Sequence, residues 1–181
     1  MTDRNDSRAP LARRCLLGSA LATLLALPMT THATDITRHA LGGGSKFPIA
    51  RAVEVPAGTT IIFHSGQTPS PLDPRAQPGT PAYWGDTKAQ TLSVFARIEE
   101  SLDALQLGFG DVVAMTVFLV GDPAKGGKMD FDGFMSAYSQ FFGTSAQPNL
   151  PARSTVQVAG LVQDGMLVEI EVQLAKAKDK E

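Results

Sequence analysis

Residues 151–175 show the most regular alternation of polar and apolar side chains in the chain. Successive side chains of a β-strand point to opposite faces of the sheet. The first predicted strand therefore places three polar side chains on one face: Arg153, Thr155 and Gln157. The second strand likewise groups Glu169, Glu171 and Gln173. Charged groups in half-buried strands are costly when they are unpaired. The pattern predicts either a polar cavity or an ordinary solvated sheet face.

The register of these two strands argues against a tight hairpin at Asp164-Gly165. In a two-residue hairpin each odd position would oppose an even one, so Arg153 would share a face with Val172. Such a mismatch is disfavoured when one face is buried. A longer turn, or another strand between the two, is therefore predicted.

Elsewhere the pattern predicts two helices and four further strands. Apolar residues recur at helical spacing over residues 87–107 and 131–142. Strands are predicted at 35–40, 50–55, 59–65 and 112–120, the last nearly all apolar and thus central. This order predicts an α+β fold with both helices on one sheet face. The opposite face would carry the polar residues of the first paragraph toward water or another subunit.

The first 33 residues have the parts of an export signal. A leader with four arginines precedes the apolar run 15–27, and Thr31-His32-Ala33 approximates a cleavage site. The run is shorter than the roughly 20 residues of a membrane span. We therefore expect a cleaved signal peptide at 1–33, a single domain at 34–181 and a periplasmic or secreted protein without a membrane anchor. The Arg13-Arg14 pair leaves general and twin-arginine export both open.

Charge and composition exclude several classes of site. The chain has 16 basic and 18 acidic residues. Cleavage of the leader would remove four basic and two acidic residues, which leaves residues 34–181 with a net charge of minus 4. Nucleic-acid binding is therefore not expected, because phosphate contacts usually dominate it. The leader also contains Cys15, the only cysteine, and His39 and His64 form no metal-ligand pattern. We expect no metal and no thiol chemistry.

Four segments carry a family resemblance: Ser65-Gly66-Gln67, LDALQLGFGDVVAMTVFLV at 102–120, PARSTVQVAGL at 151–161 and VEIEV at 168–172. Together they resemble the RidA/YjgF family of reactive-intermediate imine deaminases. The resemblance implies a chorismate-mutase-like mixed sheet, a homotrimer with clefts between subunits, and a last strand inserted beside the central one. It implies no cofactor.

The resemblance also implies residue roles. Arg153 would bind the substrate carboxylate through two parallel donors, and Glu169 would orient the attacking water and carry its proton. Ser65, Thr155 and Phe47 would line the cleft. Thr155 stands where many deaminating members have cysteine, and Phe47 best matches a position that commonly holds tyrosine.

The leading functional hypothesis is hydrolytic deamination of reactive 2-imino or enamino acids to the 2-oxo acid and ammonia. One alternative is a non-catalytic trimer that binds a small carboxylate in the same clefts. A third and weaker hypothesis is a ribonuclease, an activity attributed to some relatives.

Overall fold

A computed structural model describes residues 35–176, and the predicted signal peptide at 1–33 lies outside the described residues. The strands are β1 (Thr37–Ala40), β2 (Ala50–Glu54), β3 (Thr60–Gln67), β4 (Val112–Val120), β5 (Ala152–Val158) and β6 (Val168–Lys176). The α-helices are α1 (Pro81–Trp84), α2 (Thr87–Ala104) and α3 (Phe131–Tyr138). Single 3₁₀ turns at Phe109–Asp111 and Pro123–Lys125 flank β4.

The strands form one mixed sheet in the order β1-β2-β5-β4-β6-β3. The apolar strand β4 pairs with β5 in parallel and with β6 in antiparallel orientation. One of the two predicted alternatives, another strand between β5 and β6, is therefore confirmed, as is the absence of a tight hairpin between them. The register premise behind it is wrong, because Arg153 and Val172 both pair with Met115 and so share a face. Asp164-Gly165 lies in the loop between β5 and β6, where Gly165 adopts a φ of 81°.

Helices α2 and α3 cover one face of the sheet and enclose the core. Phe95 and Ile98 of α2, with Phe134 and Tyr138 of α3, pack against the buried side of β4 and β6. The predicted α+β class with two helices on one face is confirmed. The second helix is shorter than predicted, because residues 139–142 turn away through short-range backbone bonds such as Phe141 N to Tyr138 O.

The predicted placement of the polar residues is wrong for β5. Paired residues of neighbouring strands lie on the same side of the sheet. Arg153 pairs with Met115 and Thr155 pairs with Val117, two buried residues that face the helices. Glu169 pairs with Phe118, one position out of step with Val117, and so lies on the open face. The polar side chains of β5 and β6 thus point to opposite faces.

Candidate functional site

The Arg153 guanidinium lies in a cage of aromatic rings from α3 and from the segment before β2. Its Cζ is 4.2 Å from the ring centroid of Tyr138, 5.0 Å from Phe134, 5.5 Å from Phe47 and 6.0 Å from Phe131. Residues 131, 134 and 138 share one face of α3, whose first turn is capped by Asp130. Stacking on aromatic faces lets arginine sit where a carboxylate partner would otherwise be needed.

Arg153 keeps hydrogen-bonding capacity for an anion. Its Nη2 donates to the Sδ of Met135 at 3.3 Å, while its Nη1 is buried without a partner in the described structure. A buried donor without an acceptor is costly, and a carboxylate is the acceptor that best fits a guanidinium. Burial lowers the pKa of Arg153, with Tyr138 opposing that shift.

Tyr138 forms the floor of this cage. Its hydroxyl donates to the Pro48 carbonyl at 2.8 Å, which ties α3 to the segment that carries Phe47. Burial raises the pKa of Tyr138 to about 12, so the phenol is neutral at physiological pH. The spacing of residues 131–142 predicts an apolar helix face and gives it no part in a site. The helical spacing was visible, but its coincidence with Arg153 depends on the pairing of β4 with β5.

Glu169 belongs to a second group of residues, around the Ser65-Gly66-Gln67 segment. The pairing of β3 with β6 shifts between His64 and Gln67, so Ser65 and Gly66 form a bulge. The half-buried Glu169 side chain lies directly against Gly66. A Cβ at Gly66 would collide with Oε1 of Glu169 and stand 3.1 Å from its Cδ. A glycine here lets the carboxylate rest on the backbone.

His64 fixes the bulge from the helix side. Its Nδ1 donates to the Ser65 carbonyl at 2.8 Å, and its Nε2 lies 2.8 Å from the Ser101 hydroxyl of α2. With Nδ1 protonated, Nε2 accepts from Ser101 in the neutral ring. His64 is therefore a structural residue whose two ring nitrogens are both hydrogen-bonded. Through Ser65, the ring also fixes the backbone against which Glu169 lies.

The structure therefore brings the predicted site residues together in two groups. Phe47 joins Arg153 on the helix side, and Ser65 joins Glu169 at the bulge. Thr155 faces the helix side with its Oγ1 buried and unpartnered, away from Glu169. Because Arg153 and Glu169 lie on opposite sheet faces, one chain alone does not form the polar face predicted from alternation.

Residues 35–176, the part of the chain that the structure describes, contain neither a membrane-spanning helix nor a cluster of metal ligands. No helix in that range is long and apolar enough to cross a membrane. No group of three or more histidine, cysteine or carboxylate residues in that range could hold a metal ion.

Comparison with known proteins places the chain in a family. The family model described as Endoribonuclease L-PSP matches residues 45–176. Protein DfrA of Myxococcus xanthus is 37% identical over 124 residues, 68% of this chain and 82% of that protein. The 2-iminobutanoate/2-iminopropanoate deaminase of Salmonella typhimurium is 32% identical over 114 residues, 63% of this chain and 77% of that protein.

A solved structure agrees with these sequence matches. The crystal structure of E. coli TdcF with bound serine has a TM-score of 0.50 and 29% identity, and covers 74% of this chain and 91% of that one. The family model and the relatives agree with the fold, a six-stranded sheet with two helices on one face. The chain belongs to the RidA/YjgF family.

Proposed function

We propose that this protein hydrolyses reactive 2-imino and enamino acids to the 2-oxo acid and ammonia. The observation that carries the proposal is the half-buried Arg153 guanidinium, whose buried Nη1 has no partner inside an aromatic cage. Such a group is a receptor for the carboxylate of a 2-imino acid. The deaminase name of the Salmonella relative supports this choice of reaction.

Glu169 supplies the proton chemistry in this proposal. Water attacks the imine carbon, and Glu169 accepts a proton from that water. Glu169 returns that proton to the nitrogen of the resulting carbinolamine, and the C–N bond breaks with loss of ammonia. The carbinolamine hydroxyl gives up its proton to the solvent as the C=O bond of the 2-oxo acid forms. The Gly66 backbone limits where the carboxylate can rest. Such positioning is what general acid-base catalysis requires.

The placement of Arg153 and Glu169 on opposite faces favours a site shared between chains. We propose a homotrimer in which Arg153 of one chain meets Glu169 of a neighbour in a cleft between subunits. The open face around Glu169 exposes apolar surface suited to burial, since Phe63 is 76% exposed and Val156 43% exposed. A shared cleft accounts for two half-sites that do not meet within one chain.

The proposed location is the periplasm or the exterior of the cell. It depends on the leader at 1–33, with its arginines and its apolar run. N-terminal sequencing of the protein from its native host tests this proposal. Cleavage after Ala33 is expected, and an intact Met1 on the abundant form contradicts it.

The test of the reaction is ammonia release from 2-imino acids generated in the assay by an amino-acid oxidase. Arg153→Ala is expected to lower kcat/KM by about 100-fold, mainly through KM, because a charged hydrogen bond is lost. Glu169→Gln is expected to lower kcat by about 100-fold or more. Arg97→Ala and Glu99→Gln, which remove exposed charges from α2, serve as controls with unchanged kinetics.

The same variants distinguish catalysis from binding alone. If the wild type releases no ammonia faster than buffer, the proposed reaction is wrong. The protein is then a carboxylate-binding trimer if Arg153→Ala abolishes carboxylate binding by calorimetry while Glu169→Gln retains it. Salt-dependent RNA cleavage by the wild type would instead support a ribonuclease.

A further inference from the structure

Met135 of α3 gives the Arg153 guanidinium a weak hydrogen-bond partner. Its Sδ accepts from Nη2 at 3.3 Å, while Nη1 is buried without a partner. A thioether sulfur is a weak acceptor, whereas a carboxylate takes two parallel N–H donors of a guanidinium in a strong bidentate pair. In the proposed mode of binding, a substrate carboxylate therefore displaces the sulfur from Nη2 and uses both nitrogens.

The strength of the acceptor at Met135 thus decides how a carboxylate binds. The sulfur lies beside Nη2 and leaves Nη1 free. If a stronger acceptor took the place of the sulfur, Nη2 would stay engaged within the chain and the carboxylate would keep Nη1 alone. Met135 is therefore a position at which a small chemical change alters the receptor.

Oxidation is such a change, because it converts the thioether to a sulfoxide, a polar group with an oxygen acceptor. The sulfur lone pair attacks one oxygen of a hydroperoxide, so that an S–O bond forms and the O–O bond breaks. The other oxygen leaves with its electron pair and takes the proton of the transferred hydroxyl group, which gives water from hydrogen peroxide. Sulfur loses two electrons and the peroxide gains them.

Met135 is also open to such a reagent. Among the methionines of residues 35–176, Met115 and Met166 are 3% and 4% exposed, whereas Met129 and Met135 are half-buried. Of the two half-buried methionines, Met135 is the one whose sulfur contacts Arg153. Cys15, the only cysteine, lies in the predicted leader, so no thiol in the described range competes for the oxidant.

We propose that Met135 is a site of reversible oxidation by hydroperoxides, and that its sulfoxide weakens carboxylate binding by Arg153. This inference rests on the proposed function, in which Arg153 is the carboxylate receptor. The sulfoxide oxygen accepts from Nη2 more strongly than the sulfur does, so the substrate carboxylate loses one of its two donors. Methionine sulfoxide reductase removes the oxygen and restores the receptor.

The reaction that supplies the substrate is one source of the oxidant. An oxidase that converts an amino acid to its 2-imino acid transfers two electrons to O₂ and releases hydrogen peroxide. Each turnover thus yields one imine and one peroxide. Met135 would therefore meet the oxidant wherever such an oxidase supplies the substrate.

The test treats the wild type with hydrogen peroxide, removes the excess with catalase and locates the sulfoxide by mass spectrometry. Oxidation at Met135 is expected to raise KM for a 2-imino acid about tenfold with little change in kcat, because a charged hydrogen bond is lost. Methionine sulfoxide reductase should restore KM. Catalase is also present in the assay, since the oxidase that generates the imine releases peroxide.

Substitutions isolate the contribution of Met135. Met135→Leu keeps the volume but removes the sulfur, so its KM, at whatever level, should not respond to peroxide. Met135→Gln places an amide oxygen near Nη2 and should raise KM before any treatment. Met129→Leu removes the other half-buried sulfur and should retain both the wild-type kinetics and the wild-type response to peroxide.

Three results overturn the inference: oxidation of Met129 with Met135 still a thioether, an equal rise of KM in Met135→Leu, or a Met135 sulfoxide with the wild-type KM. If the wild type turns over no imine, the proposed reaction is wrong, and calorimetry with propionate then decides the inference. Propionate binding about tenfold weaker after oxidation of Met135 supports it. Equal affinity, or no binding by either form, overturns it.

Discussion

At the scale of single residues, Gly66 is the contact that makes the position of Glu169 specific. Its lack of a side chain allows the carboxylate to lie on the backbone of the β3 bulge. His64 holds that bulge through the Ser65 carbonyl. The position of the proposed proton carrier thus depends on three neighbouring residues of β3 that themselves carry no proton in the reaction.

Gly66→Ala should therefore displace Glu169. The added methyl group collides with Oε1 of Glu169, and the carboxylate must rotate because the backbone of the sheet is less free to move. We expect kcat for imine hydrolysis to fall about tenfold or more, since small misplacements of catalytic groups are costly. Thermal unfolding should change by only a few degrees.

Gly160→Ala is the matched control, because a Cβ there meets nothing within 4 Å. It should leave kcat unchanged. A Gly66→Ala protein with wild-type kcat would show that the position of Glu169 does not matter to the reaction.

At the scale of elements, sequence pattern located the strands and helices but not the direction of their polar faces. Strand β4 lies where the apolar run 112–120 predicted it, and α2 begins at the predicted Thr87. A period of two shows which residues of β5 share a face, yet it does not show which face turns inward. Arg153 was predicted to face away from the helices because it is charged. The aromatic rings of α3 stabilise the Arg153 guanidinium on the helix face of the sheet. The spacing of residues within α3 or within β5 does not by itself predict that contact.

Another element-scale feature is the junction of α2 with the loop between β5 and β6. The fully buried Gln90 donates through Nε2 to the carbonyls of Gly85 and Gly165, at 3.1 and 3.0 Å. Its Oε1 accepts from Leu167 N at 2.7 Å. Trp84 fixes the same loop by donating from Nε1 to the Asp164 carbonyl at 2.8 Å.

Gln90→Leu should lower the free energy of unfolding by about 2 to 4 kcal/mol, because it leaves buried backbone groups without partners. Urea titration followed by circular dichroism measures the change. Gln140→Leu removes an exposed bond to the Ser136 carbonyl and should cost less than about 1 kcal/mol. Equal losses in the two variants would contradict the role given to Gln90.

At the scale of the whole molecule, the two faces of the sheet separate Arg153, the proposed carboxylate receptor, from Glu169, the proposed proton carrier. Only an assembly of chains joins Arg153 to Glu169 in the proposed mechanism. A site shared between chains can be tested by mixing two inactive variants. An enzyme whose whole site lies within one chain would gain no activity from such mixing.

Mixing inactive Arg153→Ala and Glu169→Gln proteins, after reversible dissociation, should restore activity. In a 1:1 mixture about a quarter of the interfaces would join an intact Arg153 to an intact Glu169, so about a quarter of wild-type activity is expected. Ammonia release from a 2-imino acid is the measurement. Each variant taken alone through the same dissociation is the control, and a mixture no more active than these controls contradicts a shared site.

The insertion of β6 between β4 and β3 also governs how the chain can be made. In sequence β6 follows all the other described strands, yet in the sheet it separates β3 from β4. While the ribosome is still synthesising residues 168–176, β3 lacks its only strand partner and β4 has one free edge. Exposed strand edges of this kind favour aggregation. The nascent chain therefore cannot complete its sheet before β6 has been synthesised. If the proposed export requires an unfolded precursor, this strand order delays folding until synthesis is nearly finished.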